Sequence, residues 1–537
     1  MVIQALLKRN TYYDSITLMS VIQFVKEQAA VDDAGAVMAT GANLALMEQA
    51  ELLPAAFLAE LEKQPGPEDL LIAIRASDEA AARAALLVAE QKLAAPGKKE
   101  SSGSASTPAA RSLEMALRHD ASANMALISV AGEHAWLEAE QALRKGLHVF
   151  LFSNNVSVEQ ERRLKTLAAS KGLLLMGPDC GTAIINGVGL GFSNVAPRGN
   201  IGIVGASGTG MQQLTCLIAA AGLGISQAIG TGGRDLSEAI DGIMMREGLA
   251  LLERDPSTEV IVLVSKLPAK HVAQALLAEA ARCEKPVVAV FLGKAPEEFE
   301  PVDSIIKLAS THTDGAELAV SFAGGDHKRV PGNGALLALE SKLAEQHASL
   351  APSQRYVRAL YSGGTLCYEA MLLLSEQVGE VASNIPLRPE WELAAHEQYR
   401  GHTALDLGTD EFTRGKPHPM IDPTIRLHYL EQAAQDSETA VILLDIVLGF
   451  CSHLNPASVY APLIQRLRDE AQAAGRSLPV IVSLCGTEGD PQRLSAQRAA
   501  LEAAGALVLE SNEAAAFAAA SLVRGTNGIS QSRGLYD

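Results

Sequence analysis

The chain has 537 residues and a net charge of −18, because 62 Asp and Glu residues outnumber 44 Lys and Arg residues. This excess of acid excludes nucleic-acid binding through the overall field, since phosphate neutralisation needs clustered basic side chains. Hydrophobic residues make up 48% and aromatic residues only 4%, which excludes wholesale disorder and favours close-packed helix-on-sheet layers. At about 100–200 residues per domain, the length predicts three or four domains.

Two further classes are disfavoured by the sequence. No apolar run reaches the ~18 residues of a membrane span, and the N-terminus lacks the apolar stretch and cleavage site of a signal peptide. The six cysteines are scattered without a CxxC pair, which is typical of reduced thiols rather than of a disulfide framework or a zinc site. We therefore expect a cytoplasmic protein with neither a membrane nor a metal partner.

The first region, residues 1–95, is predicted to be α/β. Its candidate strands lie at Val2–Leu7, Ala36–Ala39 and Leu70–Ile74, with helices between them. A Pro-, Gly- and Ser-rich stretch follows at about 94–110. That composition predicts a linker or loop.

From residue 111 onwards, short Val/Ile/Leu runs alternate with Ala-rich amphipathic stretches, as in doubly wound parallel sheets. Residues 111–198 read as the βαβαβ half of a Rossmann-like domain. The predicted elements are, in order, strand Met125–Val130, helix Glu133–Lys145, strand His148–Phe152, helix Val158–Lys171 and strand Leu173–Met176.

Two later regions, 199–325 and 353–537, echo each other across a connector at 324–334. DPSTEVIVLV in the first corresponds to DSETAVILLD in the second, and KPVVAV corresponds to LPVIVS. Such an imperfect duplication predicts two copies of one α/β module. The predicted strands are Ile201–Val204, Val260–Val264, Val287–Phe291, Val357–Tyr361, Val441–Leu444 and Val480–Leu484.

The sequence GASGTG follows the first strand of the third region and opens a helix. Glycine permits a sharp turn and close approach of a ligand, and the free N–H groups of a helix start favour an anion. The spacing is neither GxGxxG nor a P-loop. We expect a phosphate or carboxylate on Gly205, Ser207, Gly208 and Thr209, the alternative being a tight turn without a ligand.

The fourth region repeats this pattern in YSGGTL, and IGTGGRD follows the next strand of the third region. Backbone amides and a guanidinium group from these two segments would face the same anion. The alternative for IGTGGRD is a turn carrying an Arg234–Asp235 surface pair. The predicted anion-binding residues are Gly232, Gly233, Arg234, Gly363, Gly364 and Thr365.

The segment 414–423 contains three prolines and is locally basic in an acidic chain. Proline makes it rigid and extended, so Arg414, Lys416 and His418 are candidates to contact a phosphate. A stiff surface loop is the alternative. The carboxylates of Asp406, Asp410 and Glu411 just upstream do not have calcium-loop spacing, and a magnesium site there is the less favoured reading.

A loop histidine, His453, follows the strand that ends at Asp445. It is a candidate phosphate carrier or general acid–base, and a merely solvated side chain is the alternative. The GPDC loop of the second region lies at the carboxyl end of a strand, where α/β sheets bind ligands. No histidine or other base stands near Cys180 in the sequence, which disfavours a nucleophilic thiol.

At these motifs the chain resembles the succinyl-CoA synthetase-like, nucleoside-diphosphate-forming acyl-CoA ligases. The stretch from FSNNVSVEQ to GPDCGTAII (152–185) resembles the end of their CoA-binding domain. GNIGIVGASGTG and IGTGGRDL resemble their first ligase domain. ALDLGTDE, AVILLDIVLGF and IVSLCGTEGDP resemble the carboxy-terminal domain of their β-subunit. With NTYYDSITLM in front and GKPHPMIDP behind, the whole pattern is most similar to the FdrA branch.

The resemblance implies a multidomain α/β fold: a Rossmann-like CoA-binding domain, two flavodoxin-like doubly wound domains and an N-terminal α/β extension. It makes CoA a candidate cofactor. The residues implied for the CoA-like loops are Ser153, Asn154, Asn155, Gly177, Pro178, Asp179 and Cys180.

The chain departs from the ligases in two respects. A complete ligase uses an ATP-grasp domain to phosphorylate a histidine, and no segment here has the length left for that domain. The phosphohistidine of the ligases lies in a GHAGA-type loop after the strand matching Val287–Phe291, where this chain reads LGKAPEEFEPVD. The nearest histidine, His312, stands in a different context. ATP-driven acyl-CoA formation by this chain alone is therefore not expected.

The FdrA branch is associated with a carbamoyltransferase of purine and allantoin catabolism, which converts oxamate and carbamoyl phosphate to N-carbamoyl-oxamate and phosphate. Its other components are separate chains. The resemblance thus implies a transferase subunit that binds a small anion, carbamoyl phosphate or phosphate, with Arg414 as a cation and His418 or His453 moving protons. A homo-oligomer remains open. The alternatives are a CoA ligase with a separate ATP-grasp subunit and a non-catalytic CoA-binding scaffold.

Overall fold

The computed structural model describes most of the chain and divides it into two compact units. One comprises Met1–Ser112 with Thr413–Pro417, and the other comprises Leu113–Phe412 with His418–Asp537. Among the helices described, none is long and apolar enough to cross a membrane. The described residues are 2–11, 13, 15–26, 30–40, 43–44, 47–48, 50, 52–53, 57, 65–66, 68–94, 110, 112–293, 306–332, 334–393, 399–413 and 416–525.

The N-terminal unit contains an antiparallel sheet with the strand order β1-β3-β2. Ile72 and Ile74 of its central strand pack with Leu18, Val25 and Ala89 in an apolar core. The predicted linker at 94–110 lies almost entirely outside the described residues. The elements are β1 (Val2–Lys8), α1 (Ser15–Lys26), β2 (Val31–Met38), β3 (Leu70–Ala76) and α2 (Glu79–Ala94).

The larger unit begins with a small parallel sheet whose order follows the chain, β4-β5-β6. Ser157 starts its second long helix with a capping box, in which Ser157 Oγ accepts from Gln160 N–H and Gln160 Oε1 accepts from Ser157 N–H. The elements are α3 (Leu113–His119), β4 (Met125–Ile128), α4 (Gly132–Arg144), β5 (His148–Leu151), α5 (Val158–Ser170) and β6 (Leu175–Met176).

A seven-stranded sheet follows, with the order β13-β12-β11-β9-β10-β7-β8. Five of its strands are parallel, and β7 and β8 form an antiparallel hairpin at one edge. The elements are β7 (Thr182–Ile185), β8 (Val188–Gly191), β9 (Arg198–Gly205), α6 (Gly208–Ala220), β10 (Ile225–Gly230), α7 (Ile243–Arg254), β11 (Val260–Ser265), α8 (Lys270–Ala280), β12 (Val287–Phe291), β13 (Ile306–Ala309) and α9 (His312–Phe322).

The hairpin places residues that we assigned to the preceding region, 111–198, in this sheet. Strand β7 pairs with β10, where Ile184 lies opposite Ala228. Ile184 is buried in the same core as Ile203 of β9. The sheet therefore begins one hairpin earlier than the predicted boundary at residue 199.

The last sheet has six parallel strands in the order β15-β16-β14-β17-β18-β19. Short 3-10 helices occur at His327–Arg329 and Pro389–Trp391. The elements are α10 (Gly334–Ala348), β14 (Tyr356–Tyr361), α11 (Gly364–Val378), β15 (Val381–Ser383), β16 (His402–Asp406), α12 (Asp410–Thr413), α13 (Thr424–Gln435), β17 (Thr439–Val447), α14 (Ala457–Ala473), β18 (Val480–Cys485), α15 (Leu494–Ala503), β19 (Leu507–Leu509) and α16 (Asn512–Arg524).

The two large sheets place their glycine turns at equivalent positions. In each, the first parallel strand, β9 or β14, has later strands on both sides and leads directly into a helix, α6 or α11. Ligands of open α/β sheets bind at such switch points, outside the carboxyl ends of the strands. The predicted multidomain α/β fold class is confirmed, and its two modules direct attention to these two turns.

A buried ion cluster joins the small sheet's helix α5 to the loop after β10. Lys165 Nζ lies 2.7 Å from Glu161 Oε1 and 2.8 Å from Asp235 Oδ1, and it donates to Thr231 O at 2.8 Å. The three charged side chains have no exposed surface. Charges buried to this degree are tolerated only when paired, so the cluster fixes this loop against α5.

We expect Lys165→Met to lower the free energy of unfolding by about 3–5 kcal/mol, because it leaves two buried carboxylates without their shared cation. Lys171→Met is the control, since that exposed lysine ends the same helix and its loss should change stability by less than about 0.5 kcal/mol. Urea unfolding followed by circular dichroism measures both. Equal losses in the two variants would contradict the importance of the cluster.

Candidate functional site

The two glycine turns meet each other. Ser207 Oγ, at the start of α6, donates to Thr365 Oγ1, at the start of α11, over 2.9 Å. A methyl group built on Gly363 would lie 2.9 Å from Thr209 Cγ2, so the Gly363 backbone packs against the Thr209 side chain. Two helix N-termini thus converge on one place, as a shared anion site requires.

The residues of the turn before α6 have different structural roles. Ser207 is the N-cap, and its Oγ accepts a hydrogen bond from Gly210 N–H at 3.1 Å. Gly205 is packed inside the sheet, where a methyl group would lie 2.6 Å from Val264 Cγ1. Gly208 and Thr209 are half-exposed. Of the four predicted residues, these last two are therefore the ones that retain solvent-accessible surface.

The turn before α11 already holds a carboxylate of the protein. Asp445 Oδ1 accepts from Ser362 N–H at 2.8 Å, and Oδ2 accepts from Gly363 N–H at 2.7 Å. Arg426 pairs with the same carboxylate at 3.0 Å, and all these groups are buried. The position that we predicted for a ligand on Gly363 is thus filled from within. No side chain caps α11, so its accessible amides begin at Gly364.

A lysine and an aspartate flank the first residue of α11. A methyl group built on Gly364 would lie 2.5 Å from Asp406 Oδ2 and 3.4 Å from Lys266 Nζ. Asp406 ends β16 and Lys266 follows β11 directly, so both come from the carboxyl edge of their sheets. The ammonium group lies 5.9 Å from the centre of the Tyr368 ring. Sequence reasoning missed Lys266, although a lysine directly after a buried central strand was a usable signal.

The CoA-like loops form a neighbouring part of the same edge. Asp179 N–H donates to Ser153 O at 3.0 Å, and Asn154 Nδ2 donates to Asp410 Oδ1 at 2.8 Å. Asn155 Nδ2 in turn bonds Asn154 Oδ1 at 2.9 Å. The loop after β5 is thereby tied to the loops after β6 and β16.

The GPDC loop also touches the turn after β10. Gly232 has φ = +87°, and a methyl group on it would collide with Pro178 O and with the Gly177 backbone, so only glycine fits there. Gly233 is exposed. Cys180 is buried, and burial raises the pKa of its thiol to about 12. A thiol of that pKa carries almost no thiolate at neutral pH, which agrees with the expectation that Cys180 is not a nucleophile.

Arg234 does not pair with Asp235 as the alternative reading proposed. It donates to Val156 O at 2.7 Å and lies 2.8 Å from Glu161 Oε2, whereas Asp235 is buried against Lys165. Arg234 is about 44% exposed. It thus borders the site while serving the buried ion cluster, and its predicted contact with an anion stays a prediction.

Two carboxyl groups of the site hold protons more strongly than usual. Burial raises the pKa of Asp406 to about 6, although Lys266 and the Gly408 N–H favour its charged form. Desolvation and the nearby Asp410 raise the pKa of Asp179 to about 6 as well, against Arg234 and Lys266. The Asp179 side chain itself is exposed at the protein surface. Carboxyls poised near neutral pH are typical of functional sites.

His418 reaches this edge. A methyl group built on Gly408 would lie 2.7 Å from His418 Nε2 and 3.2 Å from Asp406 Oδ1. The Nδ1 atom of His418 accepts from Met420 N–H at 3.3 Å. Burial, with Arg426 nearby, lowers the pKa of His418 to about 4. The ring is therefore neutral at pH 7.

The structure does not test the roles predicted for the other basic candidates. His453 Nδ1 accepts from Asn455 N–H at 3.1 Å, and its backbone N–H bonds Met420 O at 2.7 Å. Lys416 belongs to the N-terminal unit, and Arg414 lies outside the described residues. The roles predicted for these three residues stay predictions.

A buried histidine lies behind the converging turns. His312 begins α9 and is 1% exposed, and its Nδ1 lies 2.8 Å from Glu369 Oε1. Burial alone would raise the pKa of Glu369, but His312 and Asn512 stabilise its charge and the net pKa is lowered. A methyl group on Gly210 would lie 2.7 Å from His312 Nε2. The pair thus links the starts of α6, α9, α11 and α16, a role that sequence reasoning did not foresee.

Three family profiles match successive parts of the chain. The heavy metal-associated domain of AllF matches residues 1–110, the CoA binding domain matches 197–293, and the CoA-ligase domain matches 360–522. Across the residues that the structure describes, no three His, Cys, Asp or Glu side chains are arranged to hold a metal ion. The CoA-binding match falls on the region predicted to be ligase-like, so the predicted assignment of 111–198 stays a prediction.

Several proteins are similar to the chain. "Uncharacterized protein YahF" of Escherichia coli K12 is 43% identical over 514 residues, which covers 95% of this chain and 97% of YahF. The succinate–CoA ligase [ADP-forming] subunit alpha of Aquifex aeolicus is 29% identical over 177 residues, covering 32% of this chain and 57% of that protein. The apo dinucleotide-forming acetyl-coenzyme A synthetase 1 of Ca. Korarchaeum cryptofilum is 14% identical, with 76% and 85% coverage and a TM-score of 0.30.

The ADP-forming sulfoacetate–CoA ligase subunit SauD of Bilophila wadsworthia is a further relative, 26% identical over 232 residues that cover 41% of this chain and 77% of SauD. The CoA-ligase match begins within β14 and includes the second glycine turn, and the CoA-binding match includes the first. YahF matches nearly end to end at 43% identity. The chain therefore belongs to the same family as YahF, and it carries CoA-binding and CoA-ligase domains related to the alpha subunits of succinate–CoA ligases.

Proposed function

We propose that the chain is the FdrA-type subunit of a carbamoyltransferase of purine or allantoin catabolism, acting on carbamoyl phosphate and oxamate with separate partner chains. The observation that carries this proposal is the meeting of the two glycine turns, with Ser207 and Thr365 in contact. It occurs in a chain whose segment 292–303 contains no histidine to phosphorylate. The same helix starts would then receive the phosphate of a small molecule.

The geometry suits phosphate as a leaving group. In the reaction the amide nitrogen of oxamate bonds to the carbamoyl carbon, the C–O bond to the phosphate breaks, and the nitrogen loses a proton. Amides at the starts of α6 and α11 would stabilise the charge that develops on the phosphate. Such preorganised donors contribute on the order of 3 kcal/mol each. The leaving phosphate takes up the proton that the nitrogen loses. Neutral His418 carries its own proton on Nε2, because Nδ1 accepts from Met420 N–H, so its proposed role is to donate a hydrogen bond at this edge.

A ligase is the second candidate, and the succinate–CoA ligase and sulfoacetate–CoA ligase relatives favour it. In this reading a separate ATP-grasp chain would phosphorylate a histidine, and CoA would bind the loops after β5 and β6. His312 lies beside the start of α6, where a methyl group built on Gly210 would lie 2.7 Å from His312 Nε2. Its burial and its pairing with Glu369 make it a poor acceptor, because a phosphoryl group would have to displace packed backbone. The carbamoyltransferase is therefore the function we put first.

Ser207→Asp tests the carbamoyltransferase proposal. Aspartate also caps helices well, so the fold should survive while the added charge repels phosphate. We expect phosphate release from carbamoyl phosphate plus oxamate, measured with the partner chains, to fall at least tenfold. Ser207→Asn is the control, because it has the same shape without the charge, and it should retain most of the activity. Unchanged release in Ser207→Asp would remove the turn from the mechanism.

Mass spectrometry after incubation with ATP and an ATP-grasp subunit separates the two candidates. We expect no phosphohistidine on His312, since that side chain is enclosed by protein. A stable phosphohistidine that disappears in His312→Asn would establish the ligase instead.

Isothermal titration calorimetry with CoA, carbamoyl phosphate and phosphate tests the third candidate, a non-catalytic scaffold. Absence of binding for all three ligands would indicate that scaffold.

A further inference from the structure

Asp406 has one carboxylate oxygen without a donor. The side chain is 5% exposed, and its Oδ1 accepts from Gly408 N–H at 2.9 Å. Its backbone is fixed by Asn384, which both accepts from Asp406 N–H and donates to Asp406 O. No described residue donates a hydrogen bond to Oδ2, which points at Gly364. This oxygen is not completely enclosed by protein, so the donor group of a ligand beside Gly364 can reach it.

Lys266 supplies the complementary charge on the other side of Gly364. It is half-exposed, and no carboxylate among the described residues lies within 4.0 Å of its ammonium group. The Tyr368 ring lies under the ammonium group at 5.9 Å, which favours a cation there. The positive end of the α11 dipole adds to it from Gly364 onwards, since Asp445 engages only the preceding Gly363 N–H and the N-cap residue has no capping side chain. A cation and an N–H acceptor therefore lie side by side over one helix start.

We propose that Lys266 and Asp406 together recognise a small anion that carries a primary amide: the anionic group binds Lys266 and the first amides of α11, and the NH2 donates to Asp406 Oδ2. This inference rests on the proposed function. Carbamoyl phosphate and oxamate both carry that pair of groups, one with a phosphate and the other with a carboxylate as the anion.

The arrangement discriminates an amide from a methyl group. Pyruvate and acetyl phosphate have the shapes of oxamate and carbamoyl phosphate, with CH3 in place of NH2. A bound methyl analogue would cover Asp406 Oδ2 without giving it a donor. Sites built to hydrogen-bond a substrate reject analogues that lack the bond far more strongly than apolar pockets reject a changed methyl group.

Acidity modulates this recognition. Only ionised Asp406 accepts an N–H through Oδ2, and its pKa of about 6 means that the acceptor is present above pH 6 and is lost as the pH falls through that value. The other charged groups facing Asp406 are Lys266 and Asp445, the latter neutralised by Arg426. His418 adjoins Gly408 but stays neutral across this range.

Binding measurements test the proposal on the chain together with its partner chains. Oxamate is titrated against pyruvate, and carbamoyl phosphate against acetyl phosphate. We expect each amide to bind at least tenfold more tightly than its methyl analogue at pH 7.5, with that preference shrinking to less than threefold at pH 5. A preference within one pair only would identify which anion, carboxylate or phosphate, this site takes.

Two variants assign the groups. Lys266→Ala should weaken both members of a pair at least tenfold, whereas Lys270→Ala, an exposed lysine at the start of α8, should not. Asp406→Ala should abolish the preference for the amide and leave pyruvate affinity unchanged or improved, whereas Asp469→Ala removes an exposed acid of α14 and should keep the preference. The pH series on the unaltered chain provides the same information if Asp406→Ala fails to fold.

Several results would overturn the inference: no binding of any of the four probes, equal binding of amide and methyl analogues, a preference independent of pH, or full affinity in Lys266→Ala. None of these results depends on turnover. Phosphate release in the partner complex that is sensitive to Ser207→Asp, together with equal binding of the analogues, would leave the carbamoyltransferase standing and refute this site.

Discussion

The structure depends on the contact between the starts of two helices that each follow the first parallel strand of a doubly wound sheet. Because the carboxyl ends of parallel strands share one edge, each module brings its loops to a single side, and the hydrogen bond from Ser207 to Thr365 joins those sides. Two positive helix ends that face each other repel unless negative charge lies between them. Asp445 supplies one such charge, but Arg426 offsets it, so we propose a ligand as the further source.

The sequence predicted the ordered alternation of elements, both glycine turns and the duplicated module, because hydrophobic periodicity and glycine placement are local signals. It could not predict which groups surround the turns. Asp445 lies 83 residues from the Ser362 amide that it accepts from, and His312 lies 57 residues from its partner Glu369. Lys266 and Asp406 meet only because two separate sheets meet. Such pairings are set by tertiary packing, to which a single sequence is silent.

Comparison of the two turns shows how a repeated module acquires different roles. In one, the capping hydroxyl of Ser207 satisfies the helix start and leaves Gly208 and Thr209 accessible. In the other, a carboxylate from the next strand occupies the turn and Arg426 balances it. The same local pattern thus leaves the helix start open to a ligand in one copy. In the other copy it holds a carboxylate of the protein that is paired with an arginine. The buried ion cluster around Lys165 then holds the adjoining loop in place.

That both turns belong to one polypeptide has a consequence for how the site responds to dilution. A site assembled from two chains falls apart below the dissociation constant of its halves, whereas tethered halves keep a fixed effective concentration. The contact of Ser207 with Thr365 spans 158 residues of the same chain, so its two faces stay matched however scarce the protein becomes. A partner chain that binds this protein therefore does not need to contribute to the contact between the two turns.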